Sequence, residues 1–178
     1  MEEKTLSLTK WIKAAVSCLE QNQITAYKTT ILKTLYLTLP EDYRHKLYEP
    51  YLYGPYSDRV SSLLNSLASD YDSLQVDLCE LPNGRWATIF ASREDVNPPD
   101  ESIVSKIDKT LKMLKNAAIK SAKQISFVSK VHYLAESCNS QDPQVLSEEA
   151  SLMGWELSPA EVKRFLVIVD SLKSSDRG

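Results

Sequence analysis

The stretch that decides the fold is Tyr48-Glu49-Pro50-Tyr51-Leu52-Tyr53-Gly54-Pro55-Tyr56-Ser57. Four tyrosines and two prolines in ten residues predict a stiff, extended segment, because tyrosine favours strands and each proline ring fixes φ. Gly54-Pro55 reads as a sharp turn and Ser57 as the cap of a following helix. That helix, from Ser57 to about Ser69, places Val60, Leu63, Leu64 and Leu67 on one face.

Upstream, Leu8, Trp11, Ile12, Ala15, Val16 and Leu19 recur at helical spacing, predicting a first helix from about Thr9 to Glu20 that Gln21-Asn22-Gln23 closes. A second carries Ile31, Leu32, Leu35, Tyr36 and Leu39 on one side and stops at Pro40. Downstream, the runs Leu74 to Leu81 and Trp86 to Ala91 flank Pro82-Asn83-Gly84-Arg85. The Asn-Gly pair predicts a type I′ hairpin turn. Three helices, a short strand between the second and third, and a hairpin are the layout of a winged helix-turn-helix over residues 1–96.

Asn97-Pro98-Pro99-Asp100 reads as a hinge into a helical region over residues 97–178. Ile103, Ile107, Leu111, Leu114 and Ala118 recur along a long helix whose phase shifts near Ser121. Ile125, Phe127, Val128, Val131, Leu134 and Cys138 then make it apolar nearly all round, as at the centre of a bundle. Asp142-Pro143 starts a further helix that Gly154 ends. Ser158-Pro159-Ala160-Glu161 is a capping box for the last, with Leu157 and Val162 placed as a hydrophobic staple. The expected fold is mostly α with a small β-hairpin wing: a winged helix-turn-helix followed by a C-terminal helical bundle packed on it.

Composition bounds the function. The 21 basic and 24 acidic residues leave a net charge of −3, which argues against strong nonspecific DNA binding but leaves room for a local basic face. Three cysteines far apart in sequence, Cys18, Cys79 and Cys138, suit neither a disulfide framework nor a zinc site and fit a reducing cytosol. No apolar run has the length of a membrane span and the N-terminus carries Glu2 and Glu3, so a cytoplasmic protein with no membrane partner is expected.

Catalytic chemistry finds no foothold. His45 falls in a polar connector and His132 on a central helix, neither at ligand spacing with another His, Cys or carboxylate; His132 reads as a hydrogen-bonded core residue. The four glycines are isolated, so no phosphate loop is present. Glu148-Glu149 and Asp70 with Asp72 read as solvated charge. No catalytic residue, metal site or cofactor is expected.

Binding remains. The third helix would expose Arg59, Ser61, Ser62, Asn65, Ser66 and Ser69, residue types able to reach bases and phosphates, although the same face reads equally as solvated serine. Arg85 at the hairpin tip could touch a phosphate, and Trp86 beside it reads as a cross-strand packing residue or, second, as an exposed stacking platform. From Ile103 to Tyr133 seven lysines face one acid, Asp108, a local net of +6. Lys106, Lys109, Lys112, Lys115, Lys120 and Lys123 therefore read either as a solubilising face or as a phosphate-binding one.

The segment Tyr51-Leu52-Tyr53-Gly54-Pro55-Tyr56-Ser57, with Leu32-Lys33-Thr34-Leu35-Tyr36-Leu37 before it and Val131-His132-Tyr133-Leu134-Ala135 after it, resembles the motifs of YwgA-type prokaryotic winged-helix proteins. A looser similarity runs to the Panacea domain of SocA-like antitoxins. Where that family has a Gly-Leu-Ile turn into the wing, this chain has Asp70-Tyr71-Asp72-Ser73-Leu74. The resemblance implies a winged-helix fold and a place among regulators and antitoxin-like proteins, with Tyr51, Tyr53, Gly54, Pro55, Tyr56 and Ser57 as structural signature residues. The expected function is nucleic-acid binding in transcription regulation. The alternative is a protein-interaction module of antitoxin or adaptor type with no nucleic-acid binding; under either reading a homodimer is an open expectation.

Overall fold

A computed structural model describes residues 7–70, 73–93 and 100–176. Its order is α1 (Leu8–Gln21), α2 (Lys28–Thr38), α3 (Glu41–Leu47), β1 (Glu49–Tyr51), β2 (Gly54–Tyr56), α4 (Asp58–Ser69), β3 (Leu74–Glu80), β4 (Trp86–Ser92), α5 (Glu101–Asn116), α6 (Ala122–Ser137), α7 (Pro143–Leu152) and α8 (Pro159–Asp176). The chain is mostly helical with small antiparallel hairpins. The hinge expected at Asn97-Pro98-Pro99 lies outside the described residues.

The hub is α2. Every residue from Thr30 to Thr38 is buried, so the one-sided helix read from sequence is covered all round. It packs against α1, α4, α5, α6, β2 and β4. The C-terminal helices enter the same core: α5 lies on α1 and α2, and α6 on α2 and α8. One cluster therefore runs from Trp11, Ile12 and Leu35 to Ile107, Leu111, Val131 and Val169.

The tyrosine-rich segment is a hairpin of its own rather than one strand. Glu49 pairs with Tyr56 and Tyr51 with Gly54, so the turn falls at Leu52-Tyr53 and Gly54-Pro55 opens β2. Ahead of it, Glu41–Leu47 forms the short α3 that the Pro40 stop concealed, and His45 lies on that helix instead of in a connector. Ser57 caps α4 by accepting from the Val60 N–H at 3.2 Å. Ser61, expected on the exposed face of α4, is buried.

The wing pairs Leu74–Glu80 with Trp86–Ser92 throughout, but its turn is not type I′. The Leu81 N–H donates to the Arg85 carbonyl at 2.7 Å, so the loop is three residues, Pro82-Asn83-Gly84, one more than a type I′ hairpin turn holds. Gly84 donates to the Leu81 carbonyl at 2.9 Å and sits at φ +76, while Asn83 is not left-handed. A turn around Pro82-Asn83 followed by one left-handed glycine closes the loop. The strand that joins a winged-helix sheet between its first two helices is a single residue, Tyr27, bridged to Ile89.

The long helix expected from Ile103 breaks in two. After Asn116 the chain turns through Ala118 at φ +61, the Ala118 N–H reaches Lys115 at 3.0 Å and the Ile119 N–H reaches Leu114 at 2.8 Å. This is the Schellman ending with alanine where glycine is usual. Ser121 and Gln124 then cap α6 reciprocally. Gly154 at φ +71 ends α7 in the same way and drops Trp155 into the core. Ser158 and Glu161 start α8 as read.

Ala118→Gly should relieve left-handed strain of about 1–2 kcal/mol, less the backbone entropy that glycine adds. We expect a net gain of a few tenths to about 1 kcal/mol in the unfolding free energy from urea melts; a loss would place the constraint elsewhere.

Candidate interaction site between the tyrosine-rich hairpin and the wing

The geometry starts from a lysine inside the hub helix. Lys33 is 2% exposed, and its ammonium donates to the Pro55 carbonyl of β2. Burial, with Lys130 close by as a second cation, pulls its pKa down to about 7. Lys130 is itself buried on α6, its ammonium 5.5 Å from the Phe127 ring and 5.7 Å from the Trp155 ring, and burial lowers its pKa as well. Gly54 stands at φ +101, and a Cβ there would come within 2.9 Å of Lys130 Cγ. Glycine is required on both counts.

Two further donors hold the hairpin by its main chain. Ser126 Oγ donates to the Tyr53 carbonyl at 2.8 Å and Trp155 Nε1 to the Tyr51 carbonyl at 2.7 Å. With the backbone anchored on α2, α6 and Trp155, the side chains turn outward: Tyr51, Leu52 and Tyr53 are 56%, 64% and 70% exposed. Of the signature residues, Gly54, Pro55 and Ser57 are thus buried scaffold, Tyr56 is half-buried against Tyr51, and Tyr51 and Tyr53 are scaffold through their carbonyls and surface through their rings.

Opposite lies the wing. Leu74 and Phe90 fix its inner end in the core, whereas Leu78 and Trp86, on the same face by register, are two-thirds exposed. Trp86 does not pack as expected. Between hairpin and wing runs a cleft of about 640 Å³ lined by Tyr27, Lys28, Thr29, Tyr53, Leu81, Ala87, Thr88, Ala122, Lys123, Ser126, Phe127 and Lys130. Its floor is carbon, three lysines surround it, and no acid is among the lining residues.

The residues expected to meet nucleic acid do not gather on one face. On α4, Arg59, Ser62, Asn65 and Ser66 are exposed, but Ser66 and Ser69 donate back to their own helix and Asn65 accepts from Lys28 at 3.4 Å. Arg59 borders a groove with Glu49, Tyr51 and Asp58. Arg85 is exposed at the wing tip. Lys112 turns toward α1 and pairs with Asp108 at 2.5 Å, while Lys106 borders a different groove with Arg44, His132 and Lys173. Lys109, Lys115 and Lys120 are exposed, and Lys123 lies over Phe127 beside the cleft.

That second groove holds a buried network. Tyr36 OH lies 3.1 Å from His132 Nδ1, and Arg44 donates to Glu136 at 2.7 Å. Burial, then the charges of Arg44, Lys173 and His45, hold the His132 pKa well below its ordinary value. Contrary to the sequence reading, each histidine has a carboxylate one helical turn away, Glu41 at 3.5 Å from His45 and Glu136 at 3.5 Å from His132. Glu41, His45 and Glu136 bring ligand atoms within 4.8 Å of one another, but the Arg44 guanidinium on Glu136 keeps a fixed positive charge where a cation would bind.

No family model matches the chain, and no curated protein matches it. The resemblance to YwgA-type proteins therefore rests on the motifs themselves.

Sequence reasoning missed Lys33, Lys130 as a buried group, and Trp155. The signals were a lysine inside the run Ile31 to Leu37, another inside Phe127 to Val131, and a tryptophan directly after a helix-ending glycine.

Two outcomes follow. Gly54→Val combines a disfavoured φ with a clash on Lys130 and should cost more than about 2 kcal/mol in urea unfolding; an unchanged midpoint would mean the hairpin is not docked. Lys33 is charged in both states below pH 7, where its desolvation opposes folding in full. As pH rises from 7 the native state releases its proton before the unfolded chain does, so stability should climb by at most about 1.4 kcal/mol per pH unit up to pH 9. Lys33→Met should flatten that climb in a pH series of urea melts, and an equal slope in both proteins would assign it to other groups.

Proposed function

We propose that this chain is a non-enzymatic docking module, of adaptor or antitoxin type, that binds a protein partner in the cleft between the tyrosine-rich hairpin and the wing. The observation that carries this reading is a mostly apolar cleft between Tyr53 of the hairpin and Leu81, Ala87 and Thr88 of the wing, with Lys28, Lys123 and Lys130 in its lining and Leu52, Leu78 and Trp86 exposed on the same two elements. Exposed apolar side chains on the elements that form a groove are a mark of protein docking. The hairpin wall is held by buried main-chain contacts, so little ordering entropy is spent when a partner docks.

A second reading, a nucleic-acid-binding regulator, draws on the winged-helix order of elements and on Arg85 at the wing tip. Against it stand an α4 face with one arginine and lysines divided between two sides of α5. Among the described residues no helix is long and apolar enough to cross a membrane. The cysteines are unpaired, which suits action in the cytoplasm.

A photo-crosslinking residue at Tyr53 or Trp86, used in the native host, separates the readings. We expect one polypeptide joined at both positions and no electrophoretic shift on duplex or single-stranded probes at low salt. A shift whose dependence on log salt flattens by about two to three units in the triple variant Lys109→Gln, Lys112→Gln, Lys115→Gln would establish phosphate contact and overturn the docking reading.

A further inference from the structure

The edge of β4 is covered along half its length and bare along the other half. N–H groups facing away from β3 come at every second residue of the strand. Ser92 donates to the Glu20 carboxylate at 3.2 Å, and Phe90 donates to the Ala26 carbonyl at 3.0 Å. Tyr27 forms the one bridge to Ile89, after which the chain leaves the sheet to begin α2 at Lys28. The same alternation turns the N–H groups of Thr88 and Trp86 to that side, where no acceptor among the described residues meets them. At this point the cleft opens, lined by Ala87 and Thr88. Among the described residues no strand pairs with the outer edge of β3 either, but that strand carries Asp77 and Glu80 and contributes no residue to the cleft.

A bare strand edge beside a pocketed cleft is the geometry of strand addition, in which main-chain hydrogen bonds give affinity and side-chain subsites give selectivity. Here the subsites are apolar at Ala122 and Phe127 and cationic at Lys28, Lys123 and Lys130. We propose that the partner enters as an extended segment with apolar and acidic residues at period two, adding a strand to β4 over Trp86–Thr88. The inference rests on the docking reading above and names what docks. The short Tyr27 strand already does on the inner half what the partner does on the outer half.

The test uses the full chain and a short fluorescein-labelled peptide alternating valine and aspartate around a central phenylalanine. Its controls are the same peptide with lysine for aspartate, and two versions N-methylated on alternate residues. By anisotropy the aspartate peptide should bind at least about tenfold tighter than the lysine peptide, and Lys123→Glu, at an exposed position, should remove about tenfold. One N-methylated version should lose about tenfold or more while the other binds normally, since only one edge of the peptide meets β4. The Thr88 amide should gain protection from hydrogen exchange. Equal binding by both N-methylated versions, or no preference for aspartate, would overturn the proposal. So would absence of binding by every peptide, and crosslinking from Tyr53 to one host polypeptide would still leave the docking reading standing. A dimer of the chain that Lys123→Glu dissociates would place a second copy in the cleft and overturn the proposal as well.

Discussion

Lys33 sits in the stretch Thr30 to Thr38 of α2, every residue of which is buried, and its ammonium finds its oxygen on the main chain of the tyrosine-rich hairpin, at Pro55. A buried ammonium without an acceptor is strongly disfavoured. The acceptor must therefore be brought to it, and β2 brings it: Gly54, lacking a Cβ, lets the strand lie against the Lys130 stem at a left-handed φ. Ser126 and Trp155 take the carbonyls of Tyr53 and Tyr51 from neighbouring elements. Donors from three places far apart in sequence, α2, α6 and Trp155, converge on the alternate carbonyls of Tyr51, Tyr53 and Pro55.

The rest of the surface follows. With the hairpin held by its carbonyls, Leu52 and Tyr53 stand exposed at its turn, and Tyr53 lines the cleft. The wing, fixed at its inner end by Leu74 and Phe90, lines the other side with Leu81, Ala87 and Thr88 and leaves Leu78 and Trp86 exposed. The floor is α6, the helix that also supplies Lys130 and Ser126. Scaffold and cleft are thus built from the same residues, and a change that unseats the hairpin also removes one side of the site.

Local signals in the sequence carried most of the fold. Helical periodicity located α1 and α2, the capping boxes located the start of α8, and Asn-Gly located the wing. What failed were cases in which a neighbouring residue overrides a local rule. Pairing of Leu81 with Arg85 takes Pro82 into the loop, so Asn83-Gly84 is not the two-residue turn it suggests. Ala118 takes a conformation usual for glycine, so a helix ending looked like a phase shift. Pro40 ended one helix and at once began another. The site was less legible because its parts are adjacent only in space: Lys33, Gly54, Lys130 and Trp155 meet through tertiary packing, and a lysine count along one helix hides that Lys130 points inward while Lys112 points to α1.

The most direct measurement is the titration of the Lys33 side chain, followed by NMR through its labelled Cε and Nζ in the intact chain. The account requires a midpoint near 7, where burial and the neighbouring Lys130 put it, and movement of the Gly54 and Tyr53 amides with the same midpoint. A Lys33 midpoint near the ordinary lysine value of about 10.4, with hairpin amides that ignore it, would mean that the ammonium is in water and the hairpin is not seated on α2.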